Sequence, residues 1–154
     1  MTGMPQLSDA HRQLAKIVGD WRGEEKLHPS PWDPVGGMAD ARVQNRLALG
    51  GFVVVQDYEQ KRGGQVTFEG HAVFRYDAQA QCYVSHWFDS MAMQPNEFRG
   101  QFVNDVMTLN MQGPMGHNRT VFDFSKPGQY TFKMEVSPDG QHWHPFMEGK
   151  YARK

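Results

Sequence analysis

At 154 residues, with a net charge of −1 and an isoelectric point near 6.6, the chain has the size of one domain, residues 1–154, with its own core. The balanced charge leaves no basic stripe for nucleic acid, and no run approaches the roughly 20 apolar residues of a membrane-spanning helix. A single cysteine, Cys82, excludes an internal disulfide framework. With no apolar signal region in MTGMPQLSDAHRQ, a cytoplasmic location is expected.

Taken in order, Ser8 offers an N-cap for a short helix over residues 8–18, with Leu14, Ile17 and Val18 on its apolar side. Gly19 ends it, and a first strand runs from Trp21 to about Leu27. The segment 28–37, HPSPWDPVGG, has three prolines and two glycines and cannot be a regular strand. It reads as a structured loop, a candidate lid with Trp32 as the residue to bury. A second strand spans Ala39 to Leu49. Paired glycines at 50–51 and 63–64 supply the positive φ of tight hairpin turns, and a longer turn lies at Asp77 to Gln81. Beyond the Met91–Pro95 loop, strands pair around Asn104-Asp105, across Lys126-Pro127-Gly128 and across Ser137-Pro138-Asp139-Gly140, with His142 to Tyr151 last. About ten evenly spaced strands and one short helix, without a βαβ pattern, predict an all-β fold. It is a closed up-and-down antiparallel barrel or a sandwich, and closure removes exposed edges.

Side chains alternate along a strand, so the hairpin turns imply a register. Counting from Gly50-Gly51 sets Asn45 opposite Gln56 and Leu47 opposite Val54. Counting from Gly63-Gly64 sets Tyr58 opposite Glu69 and Gln56 opposite His71, and the next turn places His71 opposite His86. The inferred interior face then carries Val43, Asn45, Leu47, Val54, Gln56, Tyr58, Glu69, His71, Val73, Val84, His86 and Phe88. Phe74 and Trp87 fall on the outer face, where they need cover from another element or a partner chain; the apolar residues left on that face suggest a homodimer.

On this register His71 and His86 are the candidate catalytic pair: a base and its orienter, or half of a metal site needing Glu69 or Glu148 as a third ligand. Packing inside a hydrogen-bonded polar network is the structural alternative. Asn45, Gln56 and Tyr58 are buried polar groups that want partners, from one another, from water or from a ligand. Glu148, placed opposite Tyr130, and Phe146, placed opposite Phe132, would join them. Phe52, Phe88, Phe122, Phe132, Met134 and Phe146 form an apolar wall, either plain core or cavity lining. Met91, Met93, Met111 and Met115 offer an adaptable pocket mouth or interface. Arg119 and Glu135 read as a cross-strand ion pair.

HRQLAKIVGDWRGEE, PSPWDP, NRLALGGFVVVQDYEQ, GHAVFRYD, WFDSM and the ending FMEGKY together resemble the bacterial domain-of-unknown-function 1579 family, over nearly the whole chain. The helix running into Gly19-Asp20-Trp21 resembles the calycin superfamily of lipocalins, fatty-acid-binding proteins and nitrobindins. The resemblance implies a lipocalin-like barrel and brings no reaction with it. The expectation is small-molecule binding in the interior, by Asn45, Gln56, Tyr58, His71, His86, Phe88, Phe132, Phe146 and Glu148, with no cofactor and no metal. One alternative is an isomerase, hydratase or lyase using His71 as general acid or base. Another is haem binding of the nitrobindin kind, for which His142 and His144 are the nearest histidines, in an HWHP context that departs from that family's.

Overall fold

The computed structural model describes residues 3–31, 33–91, 94–114 and 116–154. A helix α1 (Asp9–Leu14) and a 3-10 turn (Ala15–Ile17) precede ten strands. These are β1 (Gly19–Leu27), β2 (Gly37–Ala48), β3 (Val53–Arg62), β4 (Gln65–Asp77), β5 (Cys82–Asp89), β6 (Asn96–Val103), β7 (Val106–Gly113), β8 (Gly116–Asp123), β9 (Gln129–Ser137) and β10 (His144–Arg153). Each pairs antiparallel with its neighbours in sequence, and β1 pairs with β10, so the sheet closes into a barrel. The turn chemistry explains the connectivity. Gly63 and Gly64 hold φ of 57° and 78°, and Asn104 and Asp105 hold 49° and 66°. Positive φ at both central positions matches the twist of the flanking strands.

The helical segment closes one end of the barrel. Leu14 and Ile17, each 1% exposed, pack on Val54, Phe74, Phe102, Met107 and Leu109. Full burial of side chains this size contributes about 1.5–3 kcal/mol each. Trp21 Nε1 donates to the Ile17 carbonyl at 3.0 Å, and the Arg153 guanidinium lies 4.3 Å from the Trp21 ring centroid. The segment leaves the barrel rim already tied to β1 and β10.

Between β2 and β3 the expected register holds: Asn45 faces Gln56 and Leu47 faces Val54. Between β3 and β4 it does not. Arg62 faces Gln65 and Lys61 faces Val66, but Gln60 then faces Phe68, leaving Thr67 as an extra residue in a bulge. One extra residue inverts every later side chain. Gln56 therefore sits opposite Ala72 and Tyr58 opposite Gly70. The lumen receives Phe68, Gly70, Ala72 and Phe74 from β4, and Tyr83, Ser85, Trp87 and Asp89 from β5. Glu69, His71, Val73, His86 and Phe88 lie on the outer face, the reverse of the sequence expectation, and Val84 shares that face but is fully buried. Phe74 and Trp87 have their cover inside the barrel. A second irregularity between Pro145 and Met147 puts Phe132 opposite Gly149 and Tyr130 opposite Tyr151. Glu148 is thereby on the outer face, and neither it nor Phe146 takes its expected partner. Trp32, Met93 and Met115 lie outside the described residues. Among the described residues no helix is long and apolar enough to cross a membrane.

Candidate functional site: the barrel lumen

β1 alternates Trp21, Gly23, Glu25, so a glutamate shares the inward face with a core tryptophan. Glu25 is 0% exposed. Its Oε1 accepts from Tyr58 Oη at 2.5 Å and from Gln60 Nε2 at 2.8 Å, and its Oε2 accepts from Tyr151 Oη. A buried carboxylate is tolerable only when its lone pairs are filled this way. Gly149 makes the space: a Cβ there would lie 2.9 Å from the Tyr151 ring and 3.2 Å from Glu25 Cγ. Gln60 Nε2 also reaches Met147 Sδ at 3.7 Å. Tyr130 stacks on Tyr151, centroids 4.6 Å apart and planes 12° from parallel. Burial, and then the Glu25 charge, push the phenols of Tyr58, Tyr130 and Tyr151 well above the ordinary tyrosine range. All three keep their protons.

Next to this polar cluster stands an aromatic trio. Tyr58 meets Phe68 and Trp87 at 6.0 Å each, and Phe68 and Trp87 stack at 6.4 Å. Trp87 lies across Gly70, where a Cβ would come within 2.1 Å of the indole. Its Nε1 donates to Asp89 Oδ2 at 2.8 Å, which fixes the ring. Further round, Phe122 and Phe132 pack at 5.3 Å.

Burial divides the lumen in two. At the helix end Val54, Ala72, Phe74, Phe102, Met107 and Leu109 are buried. Toward the other end Phe68, Trp87, Phe98, Met111, Phe132 and Met134 also face inward but keep part of their surface accessible. The second half is less tightly packed, with aromatic and thioether groups on one side of it and the Glu25 cluster on the other.

Of the expected site residues, Asn45, Gln56, Tyr58 and Phe132 are inside. Asn45 is 5% exposed and Gln56 7%. Asn45 Nδ2 donates to the Ile17 carbonyl at 2.9 Å, so it anchors the helical cap, while its Oδ1 is buried with no partner. His71 Nδ1 sits 2.9 Å from Asp57 Oδ1 on the outer surface, with 45% of its side chain exposed. His86 accepts from Arg75 Nε at 3.0 Å and lies 3.8 Å from Glu97, also outside. Neither imidazole touches the lumen, so they form no interior pair. Phe88 is 47% exposed. Glu148 bonds His28 Nε2 at 2.8 Å, and that bond holds its carboxyl below the usual range. His142 is bound to Asp139 at 2.7 Å with 77% of its side chain exposed, and His144 is exposed at the start of β10. Phe52 packs edge-on against His11 outside the lumen wall. The Arg119–Glu135 pair is present at 2.9 Å. Among the described residues no group of three His, Cys, Asp or Glu side chains could hold a metal ion.

Glu25, Gln60, Phe68, Trp87 and Tyr151 are the lumen residues that sequence reasoning missed. A signal existed for Glu25: two-residue spacing from Trp21 puts it on the Trp21 face.

The sequence model of a family described as "Protein of unknown function (DUF1579)" matches residues 6–153. Several solved structures share the fold. Rv2717c from M. tuberculosis superposes with a TM-score of 0.75 at 12% identity, covering 97% of this chain and 99% of that one. The S-type phycobiliprotein lyase CPES from Guillardia theta superposes with a TM-score of 0.61 at 11% identity, covering 97% and 98%. No protein with a curated description matches.

Proposed function

Because this chain belongs to the DUF1579 family, whose description assigns no activity, its role has to be read from the lumen, and we propose that it binds a small, partly aromatic or amphipathic molecule there. The observation that carries this reading is the uneven burial of the inward faces. A barrel serving only as a core would bury Phe68, Trp87, Phe98 and Phe132 as fully as it buries Phe74 and Phe102. Concave, mostly apolar walls with a few fixed polar groups are what ligand sites are made of. In this reading Phe68, Trp87 and Phe132 stack on the guest, and Tyr58, Gln60 and Gln56 orient it. The fold is compatible with a calycin-type carrier. It also occurs in a protein named as a lyase, but the histidines at 71 and 86 are bonded to surface groups, which favours holding over converting.

The test is a titration with the neutral fluorophore Prodan, read by its emission and by quenching of the tryptophan fluorescence. Saturable binding is expected, lost or strongly weakened in Trp87→Ala. Native mass spectrometry of freshly purified protein should show a co-purifying small molecule. If Prodan gives no saturable signal, or binds Trp87→Ala as tightly as wild type, the lumen is not the site.

A further inference from the structure

We propose that the lumen selects a guest carrying a positive charge beside its apolar body, an aromatic amine or quaternary ammonium. The inference rests on the lumen-binding reading and adds the chemical class of the ligand. Glu25 is fully buried, and its three donors, the hydroxyls of Tyr58 and Tyr151 and the Gln60 amide, are neutral. Among the described residues no Lys, Arg or His forms an ion pair with it. Asp89, the other acid facing the chamber, accepts from the Trp87 indole and from the Met91 backbone N–H at 3.0 Å, both neutral as well.

The nearby inward-facing cations are already engaged. Arg62 at the rim is paired with Asp33 at 2.5 Å. Arg153 lies at the closed end, over Trp21 and bonded to the Val18 carbonyl at 2.6 Å. Among its described residues the chamber therefore has two carboxylates and no Lys or Arg free to answer them; His144, opposite Val136 at the start of β10, is exposed at the rim. Charge withdrawn from water and answered only by dipoles is costly even when its lone pairs are filled, and a cationic guest beside the cluster supplies the opposite charge that these neutral donors do not.

The aromatic side of the chamber favours the same guest. The rings of Tyr58, Phe68 and Trp87 meet mainly edge to face, and aromatic faces attract ammonium groups once both are out of water. Trp87 is held by Asp89, which adds negative charge at its indole edge. An anionic guest would meet two like charges with nothing to offset them, and this repulsion gives discrimination as well as preference.

The experiment compares two probes of nearly one shape, benzyltrimethylammonium and its uncharged isostere neopentylbenzene, by displacement of Prodan from the intact protein. The ammonium should bind more tightly by about tenfold or more, the range that ring–cation attraction and a desolvated ion pair supply. The ratio should persist from low to physiological salt, since a buried pair is little screened. Glu25→Gln should bring the ratio close to one. If that variant does not fold, Phe68→Leu, at the accessible end of the trio, should reduce the ratio instead. Equal or weaker binding of the ammonium to wild type overturns the inference while saturable Prodan binding leaves the lumen reading standing. A ratio unchanged in both Glu25→Gln and Phe68→Leu also overturns it. Failure of Prodan itself overturns both.

Discussion

Tyr58, Tyr130 and Tyr151 are 8%, 4% and 4% exposed, and burial beside Glu25 raises the proton affinity of all three. In the unfolded chain a tyrosine ionises near pH 10. A folded-state pKa raised above the unfolded value gives stability that is complete below about pH 10 and is lost as pH rises toward the folded value. At pH 11 each buried phenol costs about 1.4 kcal/mol of stability, and the three together about 4 kcal/mol, against the 5–15 kcal/mol typical of a domain. Tyr130 isolates the effect, because it is not among the donors to Glu25. Tyr130→Phe should change stability little at pH 7 and should recover about 1.4 kcal/mol of the alkaline loss at pH 11. Urea unfolding followed by circular dichroism between pH 8 and 11.5 measures both. Phenolate absorbance supplies the check: at least three of the five tyrosines should ionise only with loss of the dichroic signal. Absorbance of all five rising together near pH 10, with dichroism unchanged, would refute the argument.

Four further outcomes are expected. Gly70→Ala must displace the Trp87 indole, which its Cβ would approach to 2.1 Å, at a cost of about 1–3 kcal/mol; the indole N–H resonance bonded to Asp89 should shift and Prodan affinity should fall. Leu14→Ala, at 1% exposure in the closed end, should destabilise by about 2–5 kcal/mol in urea; a change below about 0.5 kcal/mol, as for a surface site, would mean that the helix is not part of the core. Tyr151→Phe should lose about 1.5–3 kcal/mol, the value of a hydrogen bond to a charged acceptor, seen as a lower urea midpoint. His71→Phe should leave Prodan affinity within about twofold of wild type, since surface changes rarely exceed 0.5 kcal/mol; a larger drop would point to an outer site.

The strand count and the closed barrel were legible because the turns announce themselves. Gly63-Gly64, Asn104-Asp105 and Lys126-Pro127-Gly128 separate the strands cleanly, and simple counting from Gly50-Gly51 places Asn45 against Gln56. The site was less legible, for two physical reasons. Thr67 forms a bulge that nothing in its type distinguishes from an ordinary strand residue. Its hydroxyl lies 3.4 Å from the Gln60 carbonyl, a contact visible only in three dimensions. Parity counting past that point assigned β4 and β5 to the wrong faces and brought in two imidazoles that belong outside. Glu25 stayed hidden because a charged residue in a strand is ordinarily a solvent-facing one. The three donors that make its burial tolerable come from β3 and β10, at sequence separations of 33, 35 and 126 residues.

The bulge gives Thr67 an importance its side chain does not suggest. What lines the chamber on β4 and β5 is decided by whether Thr67 stays out of the ladder between Val66 and Phe68. Pairing Thr67 regularly with Gln60, with no bulge, would ask the same two strands to offer imidazole and carboxylate where they now offer indole and phenyl. A relative that lacks the bulged position would keep the same interior, whereas one that keeps it but pairs it would carry a differently furnished interior behind an almost unaltered sequence.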